Sequence, residues 1–148
     1  ALVVIGGAGV SGNMNVGGSV SAGVANPATG TPNITFIGGN TVLASYTSGV
    51  ISGTALVNLD TWSTSTYRTA RYIVQIVDSG KVHIQEMTLF HDVSNVYLNQ
   101  YGISTNQDEL GVFDANLTAT PGSVTLNFTP SPSATAMTIK MVRTTLTI

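Results

Sequence analysis

The chain of 148 residues contains no cysteine. Disulfides and thiolate metal sites are therefore excluded, and the redox compartment leaves no mark on the sequence. Charge is nearly as scarce: 8% of the residues are Asp, Glu, Lys or Arg, against roughly 25% in an ordinary soluble domain. The five basic residues, Arg68, Arg71, Lys81, Lys140 and Arg143, are scattered, and the formal net charge is −2. Nothing here would hold phosphates by counterion release, so no nucleic-acid partner is expected. Long apolar runs are missing as well. The opening ALVVIGG has a four-residue apolar run, too short to span a membrane and without the basic flank of a signal peptide, so no membrane partner is expected. The first residue is Ala1 rather than Met, as in a processed or excised start. No window shows sustained helical periodicity.

What is present is unevenly divided. All twelve charged residues and both histidines lie at or after Asp60, while twelve of the sixteen glycines precede it. Each glycine costs roughly 0.5–1 kcal/mol of extra ordering relative to alanine, so residues 1–59 are expected to be poorly folded alone. Within them an aliphatic residue precedes Gly-Gly at Ile5, Val16 and Ile37, and NMNVGGSVSAG (13–23) with the Val24 that follows places Met14, Val16, Val20 and Val24 at even spacing. Two explanations stay open: a weak repeat, or Gly-Gly turns and bulges between short strands. Either way, glycine permits close approach of main chains, and the missing charges remove the penalty for burial against another chain. Residues 1–59 are thus expected to be a Gly-rich β assembly segment, with Val16, Gly17, Gly18, Val20, Ile37, Gly38 and Gly39 as its candidate interface.

From residue 60 to 148 the pattern is that of short strands. YIVQIV (72–77), the turn Asp78-Ser79-Gly80 and KVHIQEMTLF (81–90) read as a hairpin. NVYLNQY (95–101) follows, closed by Gly102. Phe113, Ala115 and Leu117 alternate with polar residues, as do Val124, Leu126 and Phe128, with Pro121-Gly122 between them, and Met137, Ile139 and Met141 repeat the pattern. Seven or so such segments about ten residues apart indicate an all-β fold, an antiparallel β-sandwich or jelly roll, able to fold by itself.

Chemistry is hard to place on this pattern. His83 and His91 share parity on one strand, but eight residues at about 3.3 Å each set them roughly 26 Å apart, too far to share an ion. They are expected to be a solvated strand residue and a turn residue. There is no G-x-S-x-G elbow for a nucleophilic serine. Glu86 and Glu109 are the only glutamates, and Asp108-Glu109 reads as a solvated loop rather than as half of a glycosidase pair. GGAGVSG (6–12) leads into another strand-like run instead of a helix, which a phosphate cradle would need. Three N-glycosylation patterns, at Asn33, Asn116 and Asn127, are no more than chance supplies in so Ser/Thr- and Asn-rich a chain. No enzyme activity, metal or cofactor is expected. One face does invite a role. Asn95, Tyr97, Asn99 and Tyr101 alternate with Val96, Leu98 and Gln100, so two aromatic and two amide side chains share one side of a strand. Such a face suits a wet subunit interface or contact with a sugar ring. Trp62 is expected to anchor the edge of the domain.

TYRTARYIVQI (66–76), EMTLFHD (86–92), VYLNQYG (96–102), LGVFDA (110–115) and KMVRT (140–144) together resemble a β-rich domain near the C-termini of virion structural proteins of tailed phages, above all T4-like phages of marine cyanobacteria. The order of these blocks is matched over about eighty residues. One departure is the loop after His91, Val93-Ser94-Asn95, where the family often carries Asn-Gly. GNMNVGGSVSAG separately resembles the Gly-Asn-Val repeats of fibre shafts. The resemblance implies a non-enzymatic component of the extracellular particle: a fibre, tail or capsid-surface protein. It further implies a homo-oligomer, trimeric by analogy with fibres, bound to other virion proteins; the alternative, read from the Tyr97 and Tyr101 face, is a tip module whose partner is a host surface glycan. It supplies no catalytic residue.

Overall fold

The computed structural model describes Ser11, the backbone of residues 33–36, and residues 41–92, 94–118 and 122–148. The seven assembly positions expected between Val16 and Gly39 lie outside the described residues. The strands are β1 (Asn33–Phe36), β2 (Thr41–Thr47), β3 (Val57–Ser63), β4 (Tyr67–Asp78), β5 (Lys81–His91), β6 (Val96–Thr105), β7 (Gly111–Thr118), β8 (Ser123–Pro130) and β9 (Met137–Thr147). They form two antiparallel sheets, a large one ordered β1-β2-β9-β4-β5-β6 and a small one ordered β3-β8-β7. The fold is a β-sandwich. Its chain crosses from one sheet to the other at β2–β3, β3–β4, β6–β7 and β8–β9, and β9 returns to lie between β2 and β4.

Alternation along the strands makes most of the core. Ala70, Tyr72, Val74 and Ile76 of β4, Met87 and Leu89 of β5, and Met137, Ile139 and Met141 of β9 point inward from the large sheet. Leu59, Trp62, Leu110, Phe113, Val124, Leu126 and Phe128 meet them from the small one. The rings of Phe113 and Phe128 lie 4.9 Å apart at 49°, a tilted pairing that fills the layer better than a parallel stack. Two local devices set the register. Ser79 and Gly80 both have positive φ, 48° and 89°, the backbone of a type I′ turn, whose twist matches that of the strands it joins. Asp78 therefore pairs with Lys81, and every later pair of the β4–β5 hairpin follows. In β3 the register shifts between Asn58 and Asp60. This bulge lets Leu59 and Trp62, three apart, both face the core, and it turns Asp60 inward opposite Leu126.

Several expectations need correction. The change of composition at Asp60 is not a structural boundary, because β3 runs through it and β2 pairs with β9 along its whole length. Val42 and Ala44 are buried, so residues 41–59 belong to the sandwich. Trp62 lies on β3, the outer strand of the small sheet, with its side chain buried in the core and its indole N–H donating to the Tyr72 hydroxyl at 3.0 Å. β6 does not stop at Gly102 but passes through it, with φ at 62° and a register shift opposite Ile84 and Glu86. The histidines are both buried rather than solvated. Their shared parity puts them on the inward side of β5, and the core closes over both. His91 Nε2 lies 2.8 Å from the Tyr67 carbonyl oxygen, and its ring packs 5.7 Å from that of Trp62.

His83 accepts the Leu110 N–H on Nδ1 at 3.3 Å, so its proton sits on Nε2, which is buried without a hydrogen-bond partner. Burial pushes its pKa below the usual histidine value, and nearby Glu109 only partly opposes this. Unfolding therefore takes up a proton as pH falls past about 6.5, and the stability tied to neutral His83 is lost below that point. Asp78 responds in a lower window. Its buried carboxylate accepts from the Thr135 hydroxyl, the Thr135 N–H and the Ala136 N–H, which hold its pKa at about 2 and pin the β8–β9 loop. Its stabilisation is present above the ordinary carboxylate pKa and fades from there down to about 2. The melting temperature should fall in two steps on acidification. In His83→Gln the upper step should vanish; an unchanged upper step would contradict the assignment.

Candidate functional site

The outward face of the large sheet follows from its strand order and registers. Read from β9 across β4 and β5 to β6, one row is Leu146, Thr69, Phe90, Tyr97; the next is Thr144, Arg71, Thr88, Asn99; then Val142, Ile73, Glu86, Tyr101; and then Lys140, Gln75, Ile84, Ser104. Two apolar or aromatic rows thus flank a polar one. Ile73, Ile84, Phe90, Tyr97, Tyr101, Val142 and Leu146 are each 37–49% exposed. In the polar row Arg71 reaches diagonally to Glu86 at 2.6 Å, where both side chains remain accessible, so the pair sets geometry more than stability.

Of the four residues expected to share one strand face, Tyr97, Asn99 and Tyr101 lie on β6, whereas Asn95 precedes it. Tyr97, Asn99 and Tyr101 face outward opposite Phe90, Thr88 and Glu86. The Tyr97 ring stacks on Phe90 at 4.7 Å and 15°, and its hydroxyl donates to Asp92 at 2.8 Å. Since β6 is the last strand of its sheet, the Tyr97 face away from Phe90 looks toward the sheet edge. Asp92 also accepts the N–H groups of Ser94 and Asn95 and the Asn95 side-chain amide. The Tyr97 hydroxyl, followed by these backbone donors, lowers its pKa to about 2, and Asp92 in return raises that of Tyr97. Asn95 is thus spent on holding the β5–β6 loop. Sequence reasoning found the β6 members of this surface and missed Phe90, Ile73, Ile84, Val142 and Leu146. These lie on three other strands, and only the order β9-β4-β5-β6 unites them.

The small sheet offers a contrast. Its outward face carries Asn58 and Thr61 on β3, Thr125 and Asn127 on β8, and Asp114 and Asn116 on β7. Hydrogen bonds tie Asn127 to Asn116 at 2.6 Å and Thr61 to Thr125 at 3.2 Å, and among the described residues of its strands only Val112 is a large exposed apolar side chain. One sandwich thus has one polar outer face and one greasy one.

Between β2, β3 and β9 lies a cleft of about 190 Å³ lined by Tyr46, Asn58, Asp60, Thr61 and Arg143 among others. Arg143 Nη1 donates to both Asp60 oxygens at 2.8 Å, and the Tyr72 hydroxyl donates to Asp60 at 2.8 Å. Burial, reinforced by Asp60, raises the Tyr72 pKa well above that of a free tyrosine. The cleft's charges are consumed by each other, which makes it a structural knot. Among the described residues, no three of the His, Asp and Glu side chains gather as a metal site would need.

No family model matches the sequence, and no curated protein does. Among solved structures, the chain is similar to the tailspike protein of Acinetobacter phage vB_ApiP_P1, with a TM-score of 0.47 and 9% identity, over 90% of this chain and 26% of that one. The chain spans about a quarter of the length of that protein, and a likeness of this degree decides neither family nor function.

Proposed function

We propose that the chain is a non-enzymatic structural component of a tailed-phage virion, a fibre, tail or capsid-surface protein acting in the extracellular particle by self-assembly and attachment to other virion proteins. The observation that carries this is the outer face of the large sheet, where large apolar and aromatic side chains on four strands stay exposed among the described residues. A monomer has no use for such a face while its other sheet is polar, since exposed apolar area of this kind ordinarily marks contact with another protein. Four of the five sequence blocks that resemble the phage domain fall on β4, β5, β6 and β9 of this sheet, and the fifth opens β7. A second reading, a tip module that contacts host surface glycan, draws on the Tyr97 ring at the sheet edge, with Asp92 and Asn99 beside it. Antibodies raised against the full chain should label intact, salt-washed phage particles; particles that carry none of it would refute the first reading. Binding of the full chain on a glycan array, lost in Tyr97→Ala, would favour the second.

A further inference from the structure

We infer that the outer face of the large sheet is where two copies of this chain meet, sheet against sheet, about a two-fold axis running along β4. This rests on the self-assembly reading above and assigns it a surface that the sequence pointed to elsewhere, in residues 1–59. Three observations select a second copy as the occupant. The first is area. Seven large side chains, each 37–49% exposed, present on the order of 500–600 Å² of apolar surface. With the Thr and Gln side chains among them, this approaches the ~800 Å² per partner of a stable interface.

The second observation is self-complementarity, which a two-fold contact demands because one patch must fit itself. β5 and β9 flank β4 on opposite sides, so the axis lays β5 of one copy over β9 of the other. Phe90 then meets Leu146, which shares its row, and Ile73 meets Ile73. Glu86 on β5 falls over Val142 and one row from Lys140 on β9, which makes opposite charges neighbours on each side of the axis. Arg71, also on β4, meets its own counterpart across the axis, and the Glu86 of its own chain, at 2.6 Å, offsets the charge of each. A strongly charged partner would gain little from this face. The third observation is the contrast with the small sheet, whose outer polar groups bond to each other and need no cover. Face-to-face packing of this kind is how sheets bury one another inside a sandwich, about 10 Å apart. It is a two-fold pairing, unlike the three-fold assembly expected by analogy with fibres.

The test is sedimentation equilibrium of the full chain and three variants: Ile73→Asp, Phe90→Lys, and Val112→Asp on the small sheet as the control. All three positions are exposed, so the variants should melt within a few degrees of the parent. The expected result is a dimer of the 15.3 kDa chain, weakened at least tenfold by Ile73→Asp and by Phe90→Lys and unchanged by Val112→Asp. An oligomer that both large-sheet variants leave intact, or that Val112→Asp breaks equally, overturns the assignment of this surface and leaves self-assembly standing. A discrete trimer overturns the two-fold pairing alone. A monomer at every concentration overturns the self-assembly reading itself.

Discussion

Asp60→Ala should destabilise the sandwich by about 3–5 kcal/mol, the range for removing one partner of a buried ion pair, and should be among the most damaging single changes. Asp60 is the first charged residue of the chain. The β3 bulge turns it between the sheets, where it accepts from Arg143 and Tyr72 while Tyr72 in turn accepts from Trp62. The side chains of Arg143 and Asp60 are only 13% and 17% exposed. Without the carboxylate the guanidinium stays where water reaches it poorly, and its Nε is already buried without a partner. The Tyr72 hydroxyl loses its acceptor at the same time. The pair itself adds little net stability over an apolar replacement of both members, since desolvation offsets most of the attraction. The double variant Asp60→Ala with Arg143→Met should therefore recover much of the loss. Urea unfolding of the parent and both variants checks this: a loss under 1 kcal/mol in Asp60→Ala, or no recovery in the double variant, would contradict it.

Gly111→Ala should cost about 2–3 kcal/mol, toward the upper end for overpacking, although it adds a single methyl group. A Cβ at this position would run into the Phe128 ring and come to 2.5 Å from the Thr129 carbonyl oxygen. The ring is held against Phe113 and the oxygen belongs to the neighbouring strand, so neither can move aside cheaply. Gly111 does not have a positive φ; the need for glycine here is close approach, not backbone freedom. By contrast, Gly49 has open space where a Cβ would go, and Gly49→Ala should leave the midpoint of unfolding within about 0.5 kcal/mol of the parent. Equal effects at the two positions would show that the Phe113–Phe128 layer is looser than its geometry.

How much of this could be read beforehand depends on how local the determining interaction is. The β4–β5 hairpin was legible because Ser79-Gly80 encodes its turn and the flanking residues alternate. Phe113 to Leu117 and Val124 to Phe128 were legible for the same reason, and they pair in the register their alternation implies. β2 and β3 were not. TVLASYT has little contrast between its faces, and VNLDTWS hides its inward set, Leu59 and Trp62, behind a bulge that breaks period two. The grouping of residues 41–59 with the glycine-rich start followed from charge alone, and charge does not mark a strand that pairs with β9. The buried histidines show the limit of residue type: parity placed both on one side of β5, but only the sheet packed above decided that the side was inside. The Asp60–Arg143 pair spans 83 positions, and no local pattern announces it. Likewise Tyr97 and Tyr101 were found from one strand, while the face they belong to exists only because four strands lie side by side.

The claim that matters most is that this face works by being covered. Hydroxyl-radical footprinting of the full chain at low and high concentration tests it residue by residue. At high concentration Phe90, Tyr97 and Tyr101 should be protected, together with Ile73 and Val142, while Val112, 60% exposed on the other sheet, keeps its labelling. Equal labelling of the large-sheet residues at both concentrations would contradict the account.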